Sequence, residues 1–356
     1  MKFKGIIAIT VIVIIGFSSC EKIFMKPKAD SSQTAVFEEY VKLVKEKYGM
    51  LAFKELDIIH LSDSLRPFVN NEMTDDSLFA TLAIITRQLK DGHSVLFETD
   101  KNGDYIRGAG YDLEAGYPIS FHQGILNSVY LGSDVAPEIK LIEEEDAESV
   151  SMYYGFLPQD SEIAYIRIPS FDTDISKEQL EMVFKLLNPA KGMIVDMRNN
   201  GGGSPILATQ IAAYFTNKEI SIGYENFKIG PGANDFSKSY AVLKPANTDY
   251  LFLKPVMVLT DRGVYSATTT FCYSVNPLNN VTFVGQRTGG GSGSVADGYL
   301  ANGWTWNMSI SEFVGIADDG SEQHLDNGFE PDIHVLLDTL DITQDEIMER
   351  AIFELQ

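Results

Sequence analysis

The chain has 356 residues, of which 50 are acidic and 28 are basic, so its formal net charge is −22. This charge argues against a nucleic-acid-binding protein, because an acidic surface repels phosphate groups. The length allows a large hydrophobic core and more than one subdomain. The five histidines are scattered along the chain, and no motif indicates a metal site or an organic cofactor.

The first residues have the pattern of an export signal. Lys2 and Lys4 precede an apolar run over residues 6–17, which is too short to cross a bilayer comfortably. The run ends in Gly-Phe-Ser-Ser-Cys, which resembles a bacterial lipoprotein cleavage box. We therefore predict a signal peptide at 1–19 and lipidation of Cys20, which would anchor the protein in the bacterial cell envelope, on its periplasmic or surface face. An ordinary signal peptide with an incidental cysteine and an uncleaved anchor are the alternatives.

A polar tether is predicted over 20–34, followed by a helical subdomain over 35–92. One helix is indicated by an apolar stripe that runs from Phe37 to Tyr48 at helical spacing. A second helix is predicted to begin near Thr74, where polar start signals precede another apolar stripe.

The remaining chain changes character twice. Residues 93–160 contain short β-like runs and several glycines, which predict a β-rich insert of uncertain fold and leave open a diverged peptide-binding module. Strand and helix patterns then alternate over 161–340, which is typical of an α/β core with a largely parallel sheet. A terminal helix is predicted at 341–356, with Thr343 and Glu346 spaced as in a capping box.

A glycine-rich loop follows one of the buried strands of this core, at residues 198–203. Its glycines leave backbone N–H groups unshielded, and the helix that follows directs its positive end to the same place. Donors of this kind suit an oxyanion hole. A phosphate-binding loop normally adds a lysine and a hydroxyl residue after the glycines, which are missing here, whereas a merely structural turn remains an alternative.

Two side chains elsewhere could supply nucleophilic chemistry. Ser266 follows a strand and a short turn and opens a predicted helix, which would expose a nucleophile, although serine is also a favoured helix cap at such a position. His93 follows a glycine turn at the end of the helical subdomain. Its ordinary pKa near 6.5 suits a general base, although a lone surface histidine would look the same.

Five segments of the chain occur in a familiar order. They are Leu-Lys-Asp-Gly-His-Ser at 89–94, Asp-Met-Arg-Asn-Asn-Gly-Gly-Gly at 196–203, the segment from Leu-Thr-Asp-Arg to Ser-Ala at 259–267, Val-Gly-Gln-Arg-Thr-Gly at 284–289, and Gly-Phe-Glu-Pro-Asp at 328–332. Together they resemble the tail-specific (C-terminal-processing) serine peptidase family, and the first of them resembles its tricorn-core branch. The resemblance implies a peptidase core of the crotonase and ClpP type, with the active site in a cleft between the core and the helical subdomain.

The chain departs from the family at one point that affects the mechanism. Members with a Ser–Lys dyad carry the lysine in the glycine-rich loop after the fourth segment, whereas the loop at 288–294 contains no lysine. A serine hydroxyl needs a base, and the resemblance to the tricorn-core branch implies that His93 is this base. It also implies that Ser266 is the nucleophile and that the N–H groups of Gly202 and Ala267 form the oxyanion hole.

A histidine base needs a carboxylate that fixes its tautomer and stabilises its charged form. The tricorn-core branch carries this acid just before the closing Gly-x-x-Pro-Asp, where an alignment without a gap places Leu325. Asp326 is our first candidate for the acid and Glu322 the second. An ordinary Asp-Asn-Gly turn is the alternative explanation for Asp326.

Three functions follow as hypotheses. The leading one is a serine-type endopeptidase or C-terminal-processing peptidase that cleaves peptides or protein tails through an acyl-enzyme. The alternative is a catalytically inactive, membrane-anchored peptide-binding protein of the same fold, and a third is an ester-cleaving hydrolase. The acidic composition makes basic peptides electrostatically plausible substrates, but charge alone does not identify them.

Overall fold

The computed structural model of the protein describes residues 29–100, 104–111, 126–131, 139–143, 150–232, 234–316, 320–338 and 343–356. The predicted signal peptide, its cysteine and most of the predicted tether lie outside the described residues. Within the described part, no helix is both long enough and apolar enough to span a bilayer.

The helices and strands of the described residues follow one another along the whole chain. The α-helices are α1 (Gln33–Lys47), α2 (Ile58–Leu65), α3 (Asp75–Gln88), α4 (Lys177–Leu187), α5 (Pro205–Ala212), α6 (Ala267–Val275) and α7 (Glu346–Leu355). The strands are β1 (Val95–Thr99), β2 (Tyr105–Ala109), β3 (Ile139–Glu143), β4 (Val150–Leu157), β5 (Asp160–Arg167), β6 (Gly192–Asp196), β7 (Ile220–Lys228), β8 (Phe236–Leu243), β9 (Val256–Thr260), β10 (Val281–Gly285), β11 (Val295–Tyr299), β12 (Thr305–Ser309), β13 (Ser311–Ile316), β14 (Glu322–His324) and β15 (Ile333–His334).

A seven-stranded sheet in the order β15-β10-β9-β6-β5-β4-β3 forms the centre of the molecule. The five strands from β15 to β5 are parallel to one another, and β4 and β3 continue the sheet in antiparallel pairing. The predicted α/β core with a largely parallel sheet is therefore confirmed.

Helices cover both faces of this sheet. Every residue of β6 and β9 is buried, and neither strand alternates apolar with polar residues, as expected when both faces of a strand are covered. Val195 and Val258 face a cluster that contains residues of α4, α5 and α6, whereas Ile194 and Leu259 face the cluster that contains α7. The sheet thus holds the loops at its strand ends on a rigid base.

Two smaller antiparallel sheets lie beside the centre, in the orders β11-β12-β1-β2 and β14-β13-β7-β8. The helices α1 to α3 form a second hydrophobic core with the first of these sheets, in which Val44 and Leu82 pack with Leu96, Trp304 and Met308. The predicted helical subdomain therefore shares its core with strands that come from distant parts of the chain.

Two strands of the predicted β-rich insert at 93–160 also pair with strands outside that range. β1 pairs with β12, and β4 pairs with β5 at the edge of the central sheet. β4 thus belongs to the central sheet although it lies within the range of the predicted insert, because strand pairing depends on long-range contacts that a local pattern does not contain. The notion of a diverged peptide-binding module concerns a region of which 112–125, 132–138 and 144–149 lie outside the described residues.

The terminal helix is present, but its cap differs from the prediction. Asp345 precedes α7, and its side chain accepts a hydrogen bond from the Met348 N–H at 2.9 Å. Glu346 is the first residue of the helix rather than its third, so Thr343 is not the capping residue. An aspartate at this position also interacts favourably with the positive end of the helix.

Candidate active site

Three loops that follow strands of the central sheet meet at its carboxyl edge. The backbone N–H of Tyr265 donates to the Asn200 carbonyl at 3.1 Å, and that of Ser266 donates to the Gly290 carbonyl at 3.0 Å. The Asp261 carboxylate accepts from the Asn199 N–H at 2.9 Å. Parallel strands end at one edge of a sheet, which is where α/β folds place their ligand sites.

Ser266 has an unusual backbone conformation, with φ 57° and ψ −123°. A residue other than glycine at such a φ is strained, and strain of this kind is concentrated at functional sites. Ser266 immediately precedes α6, but its hydroxyl makes no capping hydrogen bond to that helix. The capping alternative for this serine is therefore wrong, and the sharp turn between β9 and α6 instead presents the hydroxyl to the cleft.

The glycine-rich loop passes directly beside the serine. A Cβ atom on Gly202 would lie 2.6 Å from the Ser266 Cβ, and Gly202 has φ 112°. Both facts require glycine here, because an L-residue would clash and would also be strained. The loop therefore brings backbone groups closer to the serine than any side chain would allow.

His93 lies in a turn that hydrogen bonds fix on several sides. The buried Asp91 carboxylate accepts from the His93 backbone N–H at 3.0 Å and from the Ser94 hydroxyl at 2.7 Å. The Gly92 N–H donates to the Tyr265 hydroxyl at 3.1 Å. Tyr265, the residue before the serine, therefore holds the turn that carries His93. The centroid of the Tyr265 ring lies 4.9 Å from that of the His93 ring.

The structure brings His93 and Ser266 together although 173 positions separate them in the sequence. The distance between the His93 Nε2 and the Ser266 Oγ is 2.9 Å. When Nε2 accepts the hydroxyl proton, the ring proton must lie on Nδ1. Nδ1 is buried and has no hydrogen-bond partner among the described residues.

Burial lowers the pKa of His93 below its ordinary value, because a charged ring is poorly solvated in this environment. The nearby charges of Asp91 and Asp326 act against this effect and raise the pKa, whereas the charge of Lys54 lowers it. The ring is therefore neutral at neutral pH, which is the state that a general base requires.

The candidate acids of the sequence occupy different surroundings. Asp326 is buried and forms an ion pair with Lys54, with 2.6 Å between Oδ2 and Nζ. No hydrogen bond or ion pair within the described part of the chain joins Asp326 to His93, so it does not fix the ring directly. Glu322 is exposed and accepts a hydrogen bond from the Tyr224 hydroxyl at 2.7 Å. The carboxylate next to the ring is that of Asp91, whose Oδ1 lies 3.9 Å from Nδ1.

The glycine-rich loop corrects the assignment of Gly202 as an oxyanion donor. Its N–H already donates to the Asn200 side-chain oxygen at 2.9 Å. The next residue, Gly203, lines the cleft, and no acceptor for its N–H occurs among the hydrogen bonds of the described residues. No acceptor for the Ala267 N–H occurs among the hydrogen bonds of the described residues either. Ala267 also lines the cleft and begins α6, and the first N–H groups of a helix have no intrahelical partner.

The charged residues of the second family segment have a structural role. Arg198 is buried, and its guanidinium binds the Asp196 carboxylate at 2.7 Å and the Asp345 carboxylate at 2.6 Å. Arg167 donates to the Arg198 carbonyl at 3.0 Å. These ion pairs fix the start of the glycine-rich loop, and they do not touch the cleft.

The cleft is a cavity of about 330 Å³. His93, Ser266, Gly203 and Ala267 line one part of it. Glu225 and Phe313 line another part, and both belong to the sheet in the order β14-β13-β7-β8, called the third sheet below. It therefore offers room for a substrate segment beside the serine hydroxyl.

Asp91, Gly203, Tyr265 and Lys54 belong to this site and are absent from the sequence-based assignments. Tyr265 could have been found from its position beside Ser266, because a residue at the entry of such a turn often packs on the neighbouring side chains. Lys54 carries no comparable signal, because it lies in a loop between α1 and α2 and reaches the site only through the tertiary fold.

Three comparisons with known proteins agree on the family. The model of peptidase family S41 matches residues 162–335. The carboxy-terminal processing protease CtpA of Bacillus subtilis (strain 168) is 27% identical over 215 residues, which cover 60% of this chain and 44% of that protein. The alignment therefore spans less than half of the length of this curated relative.

Solved structures extend the likeness over nearly the whole chain. A crystal structure of a candidate peptidase from Parabacteroides merdae ATCC 43184 is 31% identical, with a TM-score of 0.79, and the alignment covers 92% of this chain and 97% of that one. Mature CPAF in complex with lactacystin has a TM-score of 0.63 at 12% identity, over 91% of this chain and 97% of that one, and shows the same fold. From these matches and the ordered motifs, the chain belongs to peptidase family S41.

Proposed function

We propose that the protein is a serine-type peptidase that cleaves peptides or protein tails through an acyl-enzyme on Ser266. The observation that carries this proposal is the 2.9 Å distance between His93 Nε2 and Ser266 Oγ, at a strained turn beside unshielded backbone N–H groups. A nucleophile within hydrogen-bond reach of its base is the geometry that activates a serine.

The reaction follows from these positions. His93 Nε2 takes the hydroxyl proton as Ser266 Oγ attacks the peptide carbonyl, and the N–H groups of Gly203 and Ala267 donate to the oxyanion. The imidazolium then gives its proton to the leaving amine as the C–N bond breaks and the acyl-enzyme forms. Water, deprotonated by the same ring, attacks the acyl carbon, and the proton returns to Ser266 as the carboxylic product leaves.

We infer that Asp91 favours the Nδ1-protonated tautomer of the neutral ring and stabilises the imidazolium when it forms, and that the charge of Asp326 adds to this stabilisation. The 3.9 Å separation of Asp91 Oδ1 from His93 Nδ1 is longer than a hydrogen bond. Catalytic hydrogen bonds are often long before substrate binds and shorten in the reacting complex. At 3.9 Å the charge of Asp91 already raises the pKa of His93, which means that it favours the protonated ring.

Replacement of the nucleophile tests the proposal. In the Ser266→Ala variant we expect hydrolysis of a mixed peptide library to fall by at least about a thousandfold, because the acyl-enzyme has no atom on which to form. Labelling by a fluorophosphonate probe should vanish at the same time, whereas the melting temperature should stay within a few degrees. Peptide turnover that survives in this variant would reject the mechanism.

A second variant separates an enzyme from an inactive peptide-binding protein. In His93→Ala the hydroxyl of Ser266 remains but loses its base, so both labelling and turnover should fall by about a hundredfold or more. Wild-type protein that is folded and yet forms no adduct with the probe would instead favour the inactive alternative. Turnover of esters without any peptide cleavage would favour the ester-cleaving hydrolase.

We also propose that Cys20 carries a lipid that anchors the mature chain in the bacterial envelope. The order of charged, apolar and small residues before this cysteine supports the proposal. Labelled fatty acid should be incorporated into the wild-type protein during expression in bacteria and not into a Cys20→Ser variant. Equal incorporation in both proteins would reject the anchor.

A further inference from the structure

Glu225 lies in the cavity that contains the proposed nucleophile. It belongs to β7, where it pairs directly with Phe313 of β13. Side chains of directly paired residues lie on the same face of a sheet, and both of these side chains line the cavity together with Ser266. The third sheet therefore places a carboxylate in the cleft, and the proposed chemistry does not use it.

Two hydrogen bonds hold this carboxylate through one of its oxygens. The Oε1 atom of Glu225 accepts from the Ser294 N–H at 2.7 Å and from the Ser311 hydroxyl. No hydrogen bond to Oε2 and no ion pair of Glu225 occurs among the described residues. The side chain is partly buried, so the cavity contains a fixed negative charge with one oxygen still available.

The other walls next to this charge are largely apolar. Val295, Pro205 and the ring of Phe313 line the cavity, with the side chain of Thr270 beside them. Lysine and arginine combine an apolar stem with a cationic end, and such side chains favour an apolar wall that ends in a carboxylate. The volume of about 330 Å³ is large enough for one side chain of this length.

We propose that this cavity binds the lysine or arginine side chain of the substrate residue immediately before the cleaved bond, with Glu225 as its ionic partner. The inference rests on the proposed function. The N–H groups of Gly203 and Ala267, which line the same cavity, would hold the carbonyl of that residue, so its side chain is the one that enters here. An apolar side chain would desolvate the carboxylate without pairing it, which disfavours such substrates.

The position of cleavage is measured first. Digestion of a mixed peptide library by the wild-type protein, followed by mass spectrometry, should yield products whose new carboxyl end is predominantly lysine or arginine. Matched peptides that differ only at this position then measure how strong the preference for a basic residue is. We expect kcat/KM for the lysine and arginine peptides to exceed that for the norleucine peptide by about tenfold or more, as charged pairs in a partly desolvated site allow.

The charge of Glu225 is tested without a change of shape. The Glu225→Gln variant should lower the ratio of kcat/KM for lysine over norleucine to about one, mainly by loss of turnover of the lysine peptide. The matched control is Glu219→Gln, which removes the same charge from an exposed residue directly before β7. This control should keep the wild-type ratio. A fluorophosphonate probe should label both variants, which shows that Ser266 and His93 remain assembled.

The outcomes separate this inference from the function on which it rests. If the wild-type protein neither cleaves any peptide nor reacts with the probe, the proposed function fails. If it cleaves peptides and the norleucine peptide is as good a substrate as the lysine peptide, the role of Glu225 is rejected and the peptidase proposal stands. A lysine preference that persists unchanged in Glu225→Gln also rejects this role.

Discussion

His93, the proposed base, has neighbours that shift its pKa in opposite directions. Burial lowers the pKa, and this effect exceeds the opposing influence of the carboxylates of Asp91 and Asp326. Activity requires the neutral ring, so kcat/KM should fall as the pH drops through the lowered pKa. We therefore expect the acidic limb of the pH profile to have its midpoint below pH 6.5, the ordinary value for histidine. A midpoint above that value would contradict the assigned surroundings of the ring.

The Asp326→Asn variant should shift the acidic limb of the pH profile to still lower pH. The Asp326 charge raises the pKa of His93, and its removal also leaves Lys54 without its counter-charge, so both consequences lower the pKa of the ring. The acidic limb of kcat/KM should shift to lower pH. Glu322→Gln is the matched control, because Glu322 bonds to Tyr224 and is not among the charges that affect His93. A shift in the control, or a shift of the Asp326→Asn limb to higher pH, would reject this account.

At the scale of elements, the loop between α1 and α2 stabilises the turn that carries His93, the proposed base. Lys54 Nζ donates to the carbonyls of Leu89 and Lys90, at 3.1 Å and 2.8 Å, and pairs with Asp326. The contacts tie the helical subdomain, the turn of His93 and the loop before the closing motif to one another. Lys54 is therefore a positioning residue, since it acts on the reaction only through these backbone groups and charges.

Lys54→Met should lower kcat by about tenfold to a hundredfold, because a displacement of the base by about 1 Å has an effect of that size. Hydrogen exchange of residues 89–94 should become faster in the same variant, which a purely electrostatic role would not cause. The exposed Lys47→Met is the control and should change neither quantity.

A double variant tests the pairing itself. Removal of both charges avoids the unpaired buried carboxylate that Lys54→Met leaves behind. The destabilisation of Lys54→Met combined with Asp326→Asn should therefore be smaller than the sum of the two single changes. Strict additivity of the free energies of unfolding would show that the ion pair is not formed.

The elements that local patterns predict are those with a strong period or a continuous apolar run. The helix predicted to begin near Thr74 is α3, and Thr74 caps it by accepting from the Ser77 N–H. β9 is a buried, mostly apolar run within the α/β core that is predicted over 161–340. In contrast, β8 is largely exposed, with Tyr240 at 73% exposure, and its mixed pattern could not mark it as a strand of a third sheet.

The residues of the candidate site were likewise predictable only where their segments carry a local motif. Ser266 and His93 were predicted to be neighbours because their segments have motifs in a fixed order, and the structure places their side chains 2.9 Å apart. The pairing of Asp326 with Lys54, in contrast, joins residues far apart in the chain and has no local pattern. The sequence could not show that the Gly202 N–H is engaged by Asn200, because that hydrogen bond depends on how the loop curls. Side-chain partners of this kind are set by tertiary geometry, which composition and spacing do not encode.

At the scale of the whole molecule, the C-terminal helix is bound to the core by a buried charge network. The Asp345 carboxylate caps α7 and pairs with Arg198, which in turn binds Asp196 beneath the glycine-rich loop. The end of the chain thus contributes to the order of a loop that begins 147 positions earlier. Such a connection makes the last helix part of the folded core.

Asp345→Ala should lower the free energy of unfolding by about 3 kcal/mol, because it leaves part of the charge of Arg198 buried and unpaired and also removes the cap. Glu354→Ala, which breaks only a surface pair with Arg350 in the same helix, should cost about 0.5 kcal/mol or less. Urea denaturation of both variants measures the difference. Equal midpoints for the two would show that the buried network contributes little.

The proposed base and the proposed nucleophile lie 173 positions apart in the sequence, which determines when activity can arise during folding. Under the proposed mechanism, neither a nascent chain nor a collapsed intermediate possesses hydrolytic power, since each holds an ordinary imidazole and an ordinary alcohol out of reach of one another. A copy that has not yet folded therefore cannot cleave its neighbours. The topology itself thus delays hydrolytic activity until the helical subdomain and the core have packed together.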